Sequence, residues 1–456
     1  MDLVRPEGGD GGGGPQRRGG RPWFPGSQPV SLARSNVSLL AARRYWVTWK
    51  ADGTRYMLLV LRTGAYLIDR KLAVRRLQLR FPVRDEAEER EREAARRAAA
   101  AAGKPPPPRK PRMPALHDGT LMDGELVVDE DKATGTSSVR FLAYDLMALN
   151  GRSLVAEPWK TRFALLQHDV MGPRQRERDQ IERDRARRRH EAEERRKARE
   201  EGKPVPPSAP AQAYPYLYEQ EEVRVRRKEF YPLSNSKTLL DRFIPALPHE
   251  SDGLIFQGYE DPYILGTCEE LLKWKFPSLN SVDFRLRVDP KDRLERFGDG
   301  LANGGRAADA DGDDRPAPGA ASADAASDPH GYPTDVPDWV EAPSAKLELL
   351  ETRPDAPRGR GCRALPDARV LFPPSMDPRT MDLRIIECTW HPDYQVWLYL
   401  RDRRDKDTPN AYHVFEKVQD SILRPVARDA LLRAVTLATR GACYANDRAR
   451  EAHRAK

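Results

Sequence analysis

Tyr45-Trp-Val-Thr-Trp-Lys50-Ala-Asp52-Gly53-Thr-Arg55-Tyr-Met-Leu-Leu-Val60 is an aromatic strand ending on a lysine, an Asp-Gly turn and a second apolar strand. A period of two sends Tyr45, Val47 and Trp49 to one face and Trp46, Thr48 and Lys50 to the other. Lys50 is therefore carried by a rigid element. Asp can bond its own backbone and Gly accepts positive φ, so Asp52-Gly53 reads as a turn and the whole stretch as a β-hairpin. Alone, it reads as a hairpin with a solvated lysine at its tip.

Working outward, Ala65 to Arg70 reads as a further strand, and Leu32 to Ala42 as a helix. Leu121-Met-Asp123-Gly124-Glu125-Leu-Val127 is a strand with Asp123, Glu125 and Val127 on one face, either as site acids or as an edge whose acids face water. Arg140 to Leu149 is a buried strand closed by Asn150-Gly151. In Leu272-Lys273-Trp274-Lys275 the two lysines share a face. Adjacent ammonium groups repel, so the pair calls for an anion between them, or for heads reaching into solvent. Leu383 to Trp390 and Gln395 to Leu400 read as strands, followed by Arg401-Asp-Arg403-Arg404-Asp405-Lys406 and a helix from Ala411 to Leu423 with Val414, Phe415, Val418 and Ile422 in helical period. Short strands plus a helix fit a small β-barrel.

The 456 residues allow two or three domains. Forty prolines, 32% charged residues and a mean hydropathy of −0.74 are too polar for one compact body, so solvated insertions are expected. Residues 84–112 form an Ala/Glu/Arg helix ending in a proline tract. Within the insertion at 172–212, Arg174 to Lys203 is almost wholly Arg, Glu and Ala, a solvated helix or disorder whose Arg-rich pieces could serve as a nuclear localisation signal or RNA contact. Residues 290–343 are a low-complexity insertion, while 1–20 and the basic tail 446–456 are expected to be disordered. A net charge of +8 favours a polyanionic partner. No apolar run reaches membrane-spanning length and the start lacks a signal-peptide core, so an intracellular protein is expected. The four cysteines lie far apart without C-x-x-C spacing, which argues against a thiolate zinc site. Neither glycine-cradle phosphate motif is present. What remains suits chemistry at a nucleoside triphosphate: a strand-borne lysine, acids on strands, paired lysines and a late basic cluster.

Lys50-Ala-Asp52-Gly53-Thr-Arg55, Asp123-Gly124-Glu125, Phe141-Leu-Ala-Tyr-Asp145, Asp252-Gly253-Leu-Ile-Phe256, Leu272-Lys273-Trp-Lys275 and Arg403-Arg-Asp405-Lys406 resemble, in order, the six collinear motifs of covalent nucleotidyltransferases. That superfamily holds the DNA and RNA ligases and the mRNA capping guanylyltransferases. Phe24-Pro-Gly-Ser-Gln-Pro29-Val, Asp252-Gly-Leu-Ile-Phe-Gln257 and Lys273 to Phe284 look like the eukaryotic cellular capping enzymes.

The resemblance implies an α+β nucleotidyltransferase domain of antiparallel sheets (ATP-grasp-like, residues 21–282) followed by an OB-fold β-barrel (residues 283–445). It implies that Lys50 attacks the α-phosphate of GTP, holds GMP through a P–N bond and passes it to the 5′-diphosphate end of RNA. Arg55, Arg70 and Glu125 match positions that engage the ribose, Phe141 the one that stacks on guanine, and Lys228 a donor to its O6. Lys273 and Lys275 would grip the α-phosphate. Asp283 is counted among the nucleotide-binding residues, and Arg401, Arg403, Asp405 and Lys406 would orient the β- and γ-phosphates as the domains close. Glu125 and Asp252 would serve a divalent cation, Mg²⁺ or Mn²⁺. Nuclear residence and recruitment by the phosphorylated tail of RNA polymerase II are implied by the family. Nothing resembles the cysteine-phosphatase domain of animal relatives, so a separate RNA 5′-triphosphatase, or a truncated sequence, is expected. The rival readings are an ATP-dependent polynucleotide ligase and a non-catalytic RNA-end or polymerase-tail binding module.

Overall fold

A computed structural model describes residues 23–84, 86–103, 115–202, 204, 216–298, 333, 335–351, 361–404 and 406–454. The chain forms two compact units. The first comprises Met1–Val30, Arg44–Ser251 and Phe256–Leu271; the second comprises Ser31–Arg43, Asp252–Ile255 and Leu272–Lys456. Residues 1–20 and most of the expected insertion at 290–343 lie outside the described residues, as do the ends of the other two, 104–112 and 205–212.

The frame of the first unit is a seven-stranded sheet. β5 (Val74–Leu77), β4 (Gly64–Ile68), β3 (Thr54–Leu61), β6 (Thr120–Asp131), β7 (Thr136–Leu149) and β8 (Arg152–Ser153) follow in that order, and β9 (Val223–Arg227) pairs with β7 in parallel. Leu58, Val60, Met122, Phe141 and Leu146 form its core with Leu166 and Val170 of the following helical segment. β2 (Tyr45–Ala51) belongs elsewhere and pairs with β10 (Tyr231–Pro232). β2 and β3 are therefore not a hairpin. Asp52 N donates to Glu250 O at 2.9 Å instead of across to β3, so the Asp-Gly link carries the chain from one sheet to another. Gly53 does not use positive φ either: a Cβ there would lie 2.4 Å from Leu126 O, so glycine is required by the close approach of β6.

The charged helix Glu86–Ala101 follows the expected run. The second charged helix, Gly172–Glu200, is anchored at its start, where Pro173, Arg174 and Ile181 are buried and Arg80 pairs with Glu177. Those side chains give the helix a tertiary base that its composition does not advertise.

In the second unit eight strands run in the order β14-β15-β18-β20-β19-β13-β16-β17. They are β13 (Ser281–Arg287), β14 (Glu295–Arg296), β15 (Val340–Glu341), β16 (Lys346–Leu350), β17 (Cys362–Ala364), β18 (Val370–Phe372), β19 (Ile385–His391) and β20 (Val396–Asp402). Phe284, Leu286, Leu347, Ile386 and Trp397 form its core with Phe415 and Ile422 of the helix Tyr412–Leu423, whereas Val414 is exposed. The edges of the expected 290–343 insertion are ordered: Phe297, Val336 and Trp339 pack with Leu371, Val396 and Leu398.

The expected helix from Leu32 shrinks to Leu39–Ala42. Asn36 accepts from Ala33 N at 2.8 Å and donates to Ser31 O at 3.0 Å, local bonds that compete with helical ones. The expected disordered tail instead carries the helix Ala445–Arg454, fixed where Tyr444 Oη donates to Leu40 O and Arg43 O at 2.8 and 2.9 Å.

Candidate active site

β2 presents Lys50 half-buried at its end, with Tyr45, Val47 and Trp49 fully buried on the opposite face. Ser251 Oγ donates to Lys50 O at 3.0 Å, tying down the backbone beneath the ammonium group. Lys50, Arg55 and Lys228 all act electrostatically on one carboxylate, Glu125, which sits opposite Arg55 in the β3–β6 register. Burial pushes the Glu125 carboxyl above its usual range, against the pull of Lys228, Arg55 and Lys50.

Arg55 is anchored more firmly than its motif suggests. Its Nε and Nη2 donate to the two Asp123 carboxylate oxygens at 2.9 and 2.5 Å, and Nη1 donates to Ser27 O at 2.5 Å. Tyr263 Oη donates to the same Asp123 at 2.5 Å. Burial works against the charged guanidinium, yet the Asp123 carboxylate holds it firmly protonated. Bidentate, desolvated pairs of this kind fix geometry as well as charge. The fork that the motif order assigns to a ribose is thus directed at Asp123.

Lys228 is buried, with Nζ 4.9 Å from the centre of the Trp49 ring and its backbone N donating to Ala143 O at 2.7 Å. Trp49 in turn donates its indole N–H to His249 Nε2 at 3.0 Å, and His249 Nδ1 donates to Asp129 at 2.8 Å. Phe141 is fully buried in the sheet core, its ring against Gly124, so stacking on a base would require its covering side chains to move. Asp145 is held by Arg162 through two 2.8 Å bonds, a structural brace. Arg70 stands exposed in the turn after β4, where Asp69 Oδ1 accepts from Lys71 N and Ala73 N.

In the second unit Leu272 and Trp274 are buried and Lys273 and Lys275 half-buried, the expected alternation. Lys275 Nζ lies 2.8 Å from Asp252 Oδ2, so part of the anion this lysine calls for comes from the protein. Asp283 is buried beneath the basic cluster: Arg403 Nη1 donates to it at 2.9 Å, and Lys406 also pairs with it. Glu387, opposite Asp283 in the β13–β19 register, accepts from Arg401 Nε at 2.6 Å and from Arg403 at 3.3 Å. Although burial opposes ionisation of Glu387, Ser281 and Arg401 hold its carboxyl below the usual range. Arg404 faces solvent, and Asp405 lies outside the described residues.

Reading the sequence by motif missed Tyr263, His249 and Glu387 as members of these networks. Glu387 had a findable signal, an acid alternating with apolar residues in Ile385-Ile-Glu387-Cys-Thr389. Tyr263 had none, because its partners are distant in sequence. Among the described residues no group of three or more His, Cys, Asp or Glu is arranged to hold a metal ion.

The family model for the mRNA capping enzyme catalytic domain matches residues 16–201 and 199–277, more than half the chain, and that for the mRNA capping enzyme C-terminal domain matches 334–432. The chain belongs to the mRNA capping enzyme family. It is 27% identical to an mRNA-capping enzyme of Caenorhabditis elegans over 91% of this chain and 49% of that protein, and 27% identical to one of Mus musculus over 90% and 49%. An mRNA-capping enzyme subunit alpha of Neurospora crassa is 27% identical over 91% of this chain and 84% of its own. The chain thus spans about half the length of the animal capping enzymes it matches. A mycobacterial DNA ligase D complexed with ATP and MES is 15% identical over 58% of this chain and 64% of its own, with a TM-score of 0.29, too slight a likeness to add to the fold described above. Among the described residues no helix is long and apolar enough to cross a membrane.

Proposed function

We propose that this capping-family chain is an mRNA guanylyltransferase, with Lys50 as its nucleophile. The observation that carries the reading is Lys50 on a rigid strand end beside Glu125, Arg55 and Lys228, inside the region matched by the capping catalytic domain. Neutral Lys50 Nζ attacks the α-phosphorus of GTP, a P–N bond forms and pyrophosphate leaves. A β-phosphate oxygen of a 5′-diphosphate RNA end then attacks the same phosphorus and the lysine departs, giving a GpppN cap.

Glu125 is the carboxylate on which Lys228, Arg55 and Lys50 all act electrostatically. Arg55 and Asp123 hold β3 and β6 in register, so Glu125 keeps its place opposite Arg55. A divalent cation fits the hard oxygen chemistry of Glu125, which would hold it together with substrate phosphate oxygens, the way Mg²⁺ is usually bound beside one or two carboxylates. When bound it would neutralise phosphate charge. Phosphate-facing roles for Lys273, Lys275, Arg401, Arg403 and Lys406 rest on motif order. Nuclear action, recruitment by a phosphorylated polymerase tail and supply of the diphosphate end by an RNA 5′-triphosphatase complete the proposal.

The deciding experiment incubates the protein with α-labelled GTP or ATP and a divalent metal, then denatures it and looks for label on the chain. GTP labelling that disappears in Lys50→Ala is expected. Labelling by ATP alone would instead make the chain a ligase, and unchanged labelling of the variant would remove Lys50 from the chemistry.

A further inference from the structure

A cavity of about 170 Å³ opens in the first unit between the start of the helix Gly172–Glu200 and β9, walled by Arg174, Arg178, Arg226, Arg227, Gln175 and Glu229. Its cations are not equivalent. Arg174 is committed, donating to Arg80 O at 2.5 Å and pairing with Glu221. Arg178 reaches Glu182 at 3.7 Å on the helix surface. The guanidinium groups of Arg226 and Arg227 make no hydrogen bond or ion pair among the described residues. Arg227 instead lies with its guanidinium carbon 4.2 Å from the centre of the Phe163 ring, half-buried. Glu229, the carboxylate on the wall, accepts from Tyr231 Oη at 2.8 Å.

A half-buried guanidinium without a carboxylate partner is costly unless an anion completes it. Burial lowers the Arg227 pKa, against the opposing charge of Glu229. The surrounding strand extends the charge. Arg224 and Arg226 are exposed on the same face of β9, two residues and so roughly 6.6 Å apart. That is the order of the spacing between successive phosphates on an extended single strand. Among the described residues β9 pairs only with β7, leaving its other edge open. The next residue along, Lys228, lies against Trp49, the neighbour of Lys50. A linear polyanion laid on β9 is thereby led toward the proposed nucleophile.

We infer that the Arg226–Arg227 cavity and the Arg224 edge bind backbone phosphates of single-stranded RNA, a positioning site for the acceptor strand. Guanidinium planes suit this ligand because they bond phosphate in forks and offer stacking faces to unpaired bases. The inference rests on the proposed transfer to an RNA end, but its readout is separate.

The test uses the full chain and a 12-nucleotide single-stranded RNA bearing a 5′-diphosphate and a 3′-fluorophore, titrated at several salt concentrations. The Arg226→Glu/Arg227→Glu double variant is expected to bind about tenfold or more weakly at low salt, with a salt slope reduced by about 0.7 for each phosphate that is no longer neutralised. Its labelling by GTP should match that of the parent, which also shows that the variant folds. RNA affinity and slope unchanged in the double variant would overturn the inference. So would loss of binding to a phosphoserine peptide with RNA binding retained, which would assign the cavity to a phosphopeptide. Failure of GTP labelling in the parent, by contrast, would count against the guanylyltransferase reading alone.

Discussion

The charged cluster around Arg55 in the first unit and the one around Asp283 in the second are built on opposite plans. Around Arg55 the pair with Asp123 is desolvated on both sides, with side chains 7% and 1% exposed, and Arg55 also donates to Ser27 O. In the second, Arg401 and Lys406 are 65% and 35% exposed, while of the acids beneath them Asp283 is buried and Glu387 half-buried. One cluster is a fixed frame around a lysine. The other is a set of cations resting on sheltered acids, and the heads of Arg401 and Lys406 can exchange a carboxylate for a phosphate at small cost because water already screens them. Damage to the frame should therefore cost folding, and damage to the rim should cost nucleotide handling.

The largest effect is expected at Lys50→Arg. The cation stays but is almost never deprotonated, so the GMP adduct should fall below detection in the labelling assay while the melting temperature hardly changes. A stable adduct on this variant would break the contrast at its centre. Next comes Asp123→Ala, which leaves Arg55 buried without its partner. Denaturant unfolding should show a loss of about 3–5 kcal/mol for the first unit. Asp283→Ala sharpens the comparison from the other side. Lys406 can turn to water, so a smaller stability loss of about 1.5–3 kcal/mol is expected together with slowed adduct formation, read by labelling time courses.

Acid should probe the frame through His249. Burial lowers the His249 pKa, opposed by Asp129 and reinforced by Lys228 and Arg226. The unfolded chain then binds more protons than the folded one, so stability contributed by neutral His249 is present above the ordinary value near 6.5 and is lost as pH falls below it, by at most about 1.4 kcal/mol per pH unit. His249→Asn should flatten that slope between pH 6.5 and 5 in thermal melts. The smallest effect belongs to Arg404→Ala. This exposed side chain shares Asp402 with Arg384, and its removal should change stability by less than about 0.5 kcal/mol and leave labelling intact.

Much of the site was legible because its residues lie within short motifs. Lys50 at a strand end, the shared face of Asp123 and Glu125, and the alternation of Lys273 and Lys275 with Leu272 and Trp274 follow from a period of two. Periodicity could not say which strand pairs with which. The stretch around Lys50 reads as a hairpin because two apolar strands flank a turn sequence. Yet Asp52 bonds to Glu250, and Gly53 is glycine because β6 passes over it. The tail after residue 445 reads as solvated because its own residues are charged. Tyr444 makes it ordered by reaching Leu40 and Arg43.

By itself the sequence determined the order of chemical motifs, the faces of their strands and the family that they resemble, because those are properties of neighbours along the chain. Only the tertiary structure decided that Arg55 is spent on Asp123, that Asp283 and Glu387 brace the late basic cluster, and that Arg226 and Arg227 line a cavity. The reason is physical. A charged side chain's role depends on which partners reach it once water is excluded, and those partners lie far along the chain, as Tyr263 lies 140 positions from Asp123.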